Sequence, residues 1–435
     1  MSKTKRSKFW LALVIFSLVG QVAWVVENMY LNVFIYKMFN ASASAISFMV
    51  GASSVSATVT TLLIGALSDK LGKRKLFICG GYILWGISIW SFALIRTDVI
   101  NALFPAAVSA AALGISLVII VDCVMTFFGS AANDACFNAW LTDFTDETNR
   151  GAAEGINSMM PLLAILVVFG GFMSFDQDLP ETWTVIFGVI GSVVLLLGIA
   201  GFFLIEEAPV KTEGNQNYFQ NIFYGFRPSV IGQNKPLYIT LAAYAVFGIA
   251  INIYMPYLIL YYSVSLGMDN YVLIFAPAII LAAIFTALYG RVYDRKGFQS
   301  AVIPALGLLM LGFVILYFCR STVPVFLGSL LMMCGYLSGM AVFGAMLRDH
   351  TPENRAGMFQ GQRIVGQVLI PGIIGPAIGA AVLKNAETIV GDDGTASFIP
   401  NENIFLAAFI AAALIFAVLI PLFRVLKKEE NHGVR

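Results

Sequence analysis

Gly65-Ala-Leu-Ser-Asp69-Lys-Leu-Gly72-Lys-Arg74-Lys75 is a short, basic, glycine-punctuated stretch between two long apolar runs. Its outline returns in the second half as Gly290-Arg-Val-Tyr-Asp294-Arg-Lys-Gly297, again between two apolar runs. Glycines at these points permit tight turns and close helix approach. An aspartate there can accept hydrogen bonds at a neighbouring helix N-terminus, where the dipole favours an anion. A second echo follows: Asp143-Phe-Thr145-Asp-Glu147-Thr-Asn-Arg150 is matched by Asp349-His-Thr351-Pro-Glu353-Asn-Arg355. Each pair occupies the same place in its half, so the chain reads as two repeats of one plan.

Around these loops, apolar stretches of roughly 20 or more residues are long enough to cross a bilayer. They fall near 9–37, 44–67, 76–96, 110–142, 152–175, 184–205, 236–264, 271–290, 301–319, 323–347, 357–382 and 403–425. The stretch 99–142 is too long for one straight helix and calls for an outer loop or a kinked extension. Composition agrees: 59% of the 435 residues are hydrophobic and 12% charged, against about 25% charged in soluble domains. Mean hydropathy is +0.84. The expectation is an all-α integral membrane protein of twelve transmembrane helices in two pseudo-symmetric six-helix bundles. Residues 1–205 form the first bundle, 206–235 a central linker, 236–426 the second bundle and 427–435 a tail.

The apolar run after Lys3, Lys5, Arg6 and Lys8 continues to about Met38. That is far beyond a signal peptide's apolar region, so it reads as a retained span. With the N-terminus inside, 21 of the 26 Lys and Arg fall in inner segments. Lys37, Arg96, Arg320 and Lys384 lie outside, and Arg363 lies within a span. This positive-inside pattern puts both termini in the cytoplasm of a multi-pass cell-membrane protein. A net charge of +1 leaves no basic excess for nucleic acid. His350 and His432 are too far apart for a metal site, and the five cysteines form no CxxC pair. No cofactor is expected. No P-loop is present, so an ion gradient or the substrate's own gradient must supply the energy.

Two parallel six-helix repeats, with Gly-x-x-x-Asp-(Arg/Lys)-x-Gly-(Arg/Lys)-(Arg/Lys) after the second span, resemble the major facilitator superfamily. The resemblance implies a central cavity between the halves, exposed alternately to each side. Gly65, Asp69, Gly72, Arg74, Arg150, Asp294 and Arg355 are then expected to act in gating, as latches that hold one conformation and release in the other.

Ionisable groups inside spans are costly and are functional candidates by default. Four stand out: Glu27, Asp122, Asp134 and Arg363. Span four carries Asp122, Thr126, Ser130, Asp134 and Asn138 at four-residue steps, a polar stripe winding slowly round one helix, with Asn133 beside it. Gln21, Trp24, Asn28 and Asn32 share a face of span one, with Glu27 next to it. Gln360, Arg363 and Gln367 share one in span eleven, as do Tyr254, Tyr257 and Tyr261 in span seven. Those tyrosines could equally form an interface belt, and Arg363 could snorkel to the cytoplasmic loop. Carboxylates, amides and aromatic rings together suit a polyhydroxylated ligand. The expected substrate contacts are Gln21, Trp24, Asn28, Asp134, Asn138, Tyr254, Tyr257, Arg363 and Gln367. Asp134 or Glu27 is expected to carry the coupling cation.

Asp134-Ala-Cys-Phe-Asn138-Ala139-Trp140-Leu141-Thr142-Asp143, followed by Thr145, Glu147 and Arg150, resembles the fourth-span signature of the glycoside–pentoside–hexuronide:cation symporters. Gly20-Gln21-Val-Ala-Trp24 is similar to a span-one region of the sucrose–proton symporters, one residue shorter in spacing. The resemblance implies that Asp134 belongs to the sugar-binding and cation-coupling centre. It also shows departures. The two span-two acids of the sodium-using branch would fall near Ala57 and Thr61, which makes a proton likelier than sodium. The span-one sugar-binding acid would fall at Gln21, and the span-five arginine near Asn157 or Ser158. The reading is uptake of a sugar or glycoside by a monomer in the lipid bilayer. Its alternative is a proton-coupled exporter of drugs or metabolites, for which Gly375-Pro376-Ala-Ile-Gly379 is a faint motif displaced into span eleven.

Overall fold

The computed structural model describes residues 3–105, 109–145, 149–207, 224–268, 270–351, 359–390 and 396–431. Apart from a two-stranded hairpin, Thr388–Val390 with Ala396–Phe398, its regular structure is helical. Lipid offers no hydrogen bonds, so a spanning segment must satisfy its own backbone, and helices do this. Among the described residues, eleven helices are long and apolar enough to cross a membrane. The eighth of them, Val272–Phe318, contains two crossings. Its 47 residues would extend about 70 Å if straight, more than twice a bilayer's hydrocarbon core. At Gly297 the backbone leaves helical geometry (φ 74°), and the Tyr289 hydroxyl donates to the Ala301 carbonyl at 2.7 Å. Residues twelve apart can meet in that way only if the chain folds back. The total is therefore twelve crossings, as the hydropathy pattern predicts.

The chain forms two compact units, Met1–Gln216 with Val390–Ser397, and Asn217–Ile389 with Phe398–Arg435. In the first, spans one to six are Lys8–Phe39, Ala43–Gly65, Arg74–Leu94, Ala110–Phe144, Gly155–Phe172 and Pro180–Leu204. The troublesome stretch before span four resolves into a short helix, Thr97–Leu103, followed by a separate helix from Ala110. Ser42 and Ser109 cap the helices that follow them, accepting from the backbone N–H of Ala45 and Ala112, each at 3.2 Å. Spans three and six pack backbone to backbone: a Cβ on Gly86 would lie 2.7 Å from the Gly191 carbonyl oxygen, and one on Gly198 2.6 Å from the Ile83 nitrogen.

In the second unit, span seven is Lys235–Ser265, and spans eight and nine lie on either side of Gly297. Spans ten, eleven and twelve are Thr322–Asp349, Gly361–Val382 and Asn403–Lys428. Large apolar side chains such as Phe203 (77% exposed) and Phe318 (74%) face outward, as lipid-facing surfaces require.

Both motif glycines take a positive φ. Gly72 ends its helix in the left-handed region (φ 63°), with its N–H bonded to the Ser68 carbonyl at 2.9 Å. Gly297 takes φ 74° at the matching place in the second repeat. Only glycine enters that region without a Cβ penalty.

Candidate functional site

Four spans contain π turns among the described residues: Val26–Tyr30 in span one, Ser130–Phe137 in span four, Tyr261–Ser265 in span seven and Val365–Leu369 in span eleven. These are the four spans that the sequence marks by polar faces. A π turn closes i→i+5 bonds and so contains an extra residue, and such turns are frequent at functional sites. In span four this has a direct geometric effect. Polar residues at four-residue steps overshoot a 3.6-residue turn, and the wider turn takes up the excess. Asp122, Thr126 and Ser130 are buried, Asp134 is half-buried, and Asn138 is exposed. The stripe is thus a seam that starts inside the first bundle and surfaces at Asp134.

Span one meets this seam at two points. Thr126 Oγ1 donates to Glu27 Oε1 at 2.8 Å, and Glu27 is buried. One turn nearer the N-terminus, Trp24 Nε1 donates to Asn133 Oδ1 at 3.4 Å. Asn133 Nδ2 donates to the Tyr82 hydroxyl at 2.7 Å, which in turn donates to the Phe16 carbonyl at 2.8 Å. This relay crosses spans one, three and four, and Gly20 makes room for it: a Cβ there would meet Asn133 and sit 2.7 Å from the Tyr82 hydroxyl. Trp24 stacks at a tilt on Trp85 with ring centroids 5.0 Å apart. Ser130 Oγ donates to Asp134 Oδ2 at 2.9 Å.

Gln21 and Trp24 are half-buried and Asn28 is exposed. Asn28 Nδ2 donates to the Trp24 carbonyl at 2.8 Å, and Asn138 Nδ2 to that of Asp134 at 3.1 Å. Each amide therefore keeps its oxygen free of the helix backbone. The structure brings Trp24, Glu27, Asn133 and Asp134 into one neighbourhood. Asn133 and Tyr82 are the members that sequence alone did not place in the site. Asn133 was visible beside the stripe, whereas Tyr82 reaches it only through packing. At positions aligned with the resemblance's missing residues, Ala57 and Thr61 are buried, and Asn157 Oδ1 accepts from Ser17 Oγ.

In the second bundle, Arg363 and Gln367 are half-buried in span eleven, Gln367 within the π turn. Tyr254 and Tyr257 are fully buried. Tyr254 packs between the rings of Phe313 and Phe405, with centroids at 5.3 and 5.9 Å. The Tyr257 hydroxyl donates to the Pro376 carbonyl at 3.3 Å. They sit inside the bundle, neither in an interface belt nor on its surface. Pro256 lacks an N–H, and the chain takes a 3₁₀ turn over Met255–Tyr257, which sets the direction of these rings. Gly375 and Gly379 serve this packing too, since a Cβ on the first would crowd Asn252 and on the second would lie 2.7 Å from the Tyr257 ring.

Among the gating residues, Arg74 is buried and its contacts are explicit. Its Nε pairs with Asp143 Oδ2 at 3.1 Å, and its Nη1 donates to Ser68 Oγ at 2.6 Å. In the second repeat the position of Ser68 is held by Tyr293, whose hydroxyl donates to Asp349 Oδ2 at 2.5 Å. Asp143 and Asp349 are the matching loop aspartates. One loop is tied through an arginine and the other directly through a longer side chain. Gly65 lies within the span-two helix and Asp294 is exposed. Arg355 and the side chains of Asp69 and Arg150 lie outside the described residues.

Comparison with known proteins settles the family. A profile of the Major Facilitator Superfamily matches residues 9–376. The chain belongs to the Major Facilitator Superfamily. Solved members of similar fold include a bacterial homologue of the human lysosomal transporter Spinster in its inward-facing, occupied conformation (TM-score 0.71, 16% identity, 98% of each chain). A mutant of the nucleoside transporter NupG gives TM-score 0.70 at 13% identity over 94% of this chain and 98% of that one. The xylose transporter XylE from E. coli, partially occluded and inward open, gives 0.67 at 15% over 93% and 97%. At such identities the likeness shows the fold alone. A sequence search of curated proteins returns no match. The chain is thus a multi-pass membrane transporter of the major facilitator fold.

Proposed function

We propose that this transporter takes up a sugar or glycoside together with a proton, by alternating access between the two sides of the cell membrane, with both termini in the cytoplasm. The carrying observation is the seam at Asp134. A half-buried carboxyl in a membrane-spanning helix, held by Ser130 at 2.9 Å, emerges beside Asn138, whose amide bonds the Asp134 carbonyl, and next in sequence to Asn133, which accepts from the Trp24 indole. A carboxylate accepts two sugar hydroxyls, amides donate and accept, and an indole covers an apolar sugar face. Gln21, and Arg363 and Gln367 of the second bundle, are the further polar contacts assigned to substrate. Tyr254 and Tyr257 support them from within the second bundle.

The coupling step is assigned to Asp134 with Glu27. Adding a proton changes the charge of a group that the membrane penalises when ionised, so protonation and substrate together can favour one conformation. A ligand drives the exchange only through its different affinity for the two states. The loops at Gly72–Arg74 and Asp294 serve as latches, with Asp69, Arg150 and Arg355 as their further charges. Fold relatives that are a D-xylose–proton symporter and a nucleoside transporter are in keeping with this reading.

The test is uptake of a labelled glycoside panel by transport-deficient bacteria expressing the protein, with and without protonophore and with sodium varied. Uptake of one sugar class that collapses with protonophore and ignores sodium supports the proposal. Absence of uptake for every sugar, with the protein confirmed in the membrane, overturns it in favour of export or another solute.

A further inference from the structure

We propose that Glu27 and Asp122, with the hydroxyls of Thr126 and Ser53, form a monovalent-cation site that is separate from the substrate carboxyl Asp134. The inference rests on the coupled-transport reading above and adds a second ionic site to it: Asp134 keeps its part in binding and coupling, and the deeper pair holds a further cation.

Both carboxyls are more than nine-tenths buried, Glu27 at 8% exposure and Asp122 at 1%. Each leaves an oxygen with no hydrogen-bond partner, Oε2 of Glu27 and Oδ1 of Asp122. Glu27 Oε1 accepts from Thr126 at 2.8 Å, and Ser53 of span two, whose hydroxyl donates to the Val50 carbonyl at 3.1 Å, lies near Asp122. Spans one, two and four therefore converge here, bringing two carboxyls and two hydroxyls, with the Cys123 thiol nearby. The two carboxyls are close enough for their charges to act on each other. The other titratable groups that act on the pair or feel it are Asp134, toward Glu27, and the Cys123 thiol. No lysine, arginine or histidine among the described residues pairs with either carboxyl.

Two acids sharing a buried niche without a basic partner among the described residues need positive charge from outside. An unpaired buried charge is among the costliest arrangements a protein can hold. Two sources supply that charge with the same result: hydrogen ions carried on the carboxyls, or a sodium ion seated on their oxygens. Carboxylates and hydroxyls are hard donors suited to sodium and poor ligands for thiophilic metals.

Asp122 and Asp134 are three helical turns apart, on the order of 18 Å along the axis, so one ion cannot serve both. Glu27 lies between them and feels both charges. Filling the deep niche therefore changes the field at the substrate carboxyl without contact, which is what coupling requires.

The test uses purified protein in phospholipid vesicles with no sugar present, followed by infrared difference spectroscopy of the carboxyl bands. One series raises the pH from 5 to 9 in choline buffer, and the other replaces choline by sodium at fixed pH. The expected result is a carboxylic-acid band that disappears in one or both series. It is diminished in both Glu27→Gln and Asp122→Asn and retained in Asp134→Asn. Disappearance on adding sodium at fixed pH assigns the site to sodium; disappearance only with pH assigns it to the proton. Thr126→Val keeps both acids, guarding against loss of fold, and should shift the midpoint of whichever series responds by about tenfold in ion concentration. Bands that Glu27→Gln, Asp122→Asn and Thr126→Val all leave as in the wild type overturn the proposal. Failure of sugar uptake in cells does not touch this readout, so the two readings fail separately.

Discussion

Arg74 reaches Asp143 at 3.1 Å across the end of the first bundle, joining the loop after span two to the loop after span four. The guanidinium is buried and the carboxylate about one-quarter exposed. Removing one partner of such a pair leaves the other poorly satisfied, at a cost of about 1–3 kcal/mol. Arg74→Ala should lower the thermal midpoint of the detergent-solubilised protein. Arg74→Lys should recover only part of it, because one ammonium cannot address Asp143 and Ser68 in the same fork geometry. Tyr293→Phe, which cuts the matching tie to an exposed Asp349, should cost less, about 1 kcal/mol.

Asp134→Asn should abolish accumulation against a gradient while leaving exchange of substrate across the membrane. The amide preserves shape and some hydrogen bonding but carries no proton. Labelled-sugar counterflow and protonophore-sensitive uptake, measured in the same cells, separate the two. Accumulation persisting in this variant removes Asp134 from the coupling step.

The relay from Trp24 through Asn133 and Tyr82 to the Phe16 carbonyl is continuous and mostly buried. Tyr82→Phe removes a hydroxyl that both accepts and donates, stranding a buried amide at about 1–3 kcal/mol. Gly20→Ala should disturb the same relay by crowding, without removing any polar group. A shared loss of substrate affinity in both variants, with membrane expression intact, is the expected outcome of binding assays. Normal affinity in both would detach the relay from the site.

Arg96 at the far end of span three holds the Asp98 carboxyl below its usual range, mainly through their hydrogen bond. A depressed carboxyl contributes stability above its unfolded value, about pH 4, and loses it as pH falls through the lower folded value. Asp98→Asn should therefore differ from the wild type by a small, constant amount above about pH 5. The two should converge in stronger acid. Melting midpoints across that range check it; the contribution is small because Asp98 is fully exposed.

Hydropathy made the twelve crossings legible, because lipid imposes a length and a composition on each span independently of its neighbours. The helical period likewise made the polar faces of spans one, four, seven and eleven legible. What those faces meet is a different matter. Whether Tyr254 and Tyr257 point into the bundle or out of it depends on Phe313, Phe405 and Pro376, which lie far along the chain. Asp122 is almost fully enclosed where span two packs against span four, Ser56 donating to the Cys123 carbonyl at 2.8 Å, and the sequence of span four alone does not show this. The π turns left no residue-type signature that was read in advance; they are compromises between helix geometry and packing. Ser68 and Tyr293 occupy matching motif positions, but only the distances show that one loop uses an arginine where the other uses a phenol.

Gly72 and Gly297 both take a positive φ, 63° and 74°, at matching points of the two repeats. A residue with a Cβ meets a steric objection at both, about 1–3 kcal/mol before any contact is lost. A saturation-mutagenesis library scored for membrane folding should therefore show two isolated rows of near-uniform intolerance, one in each half. The internal duplication could be recovered from phenotype alone, by two glycines whose φ is positive.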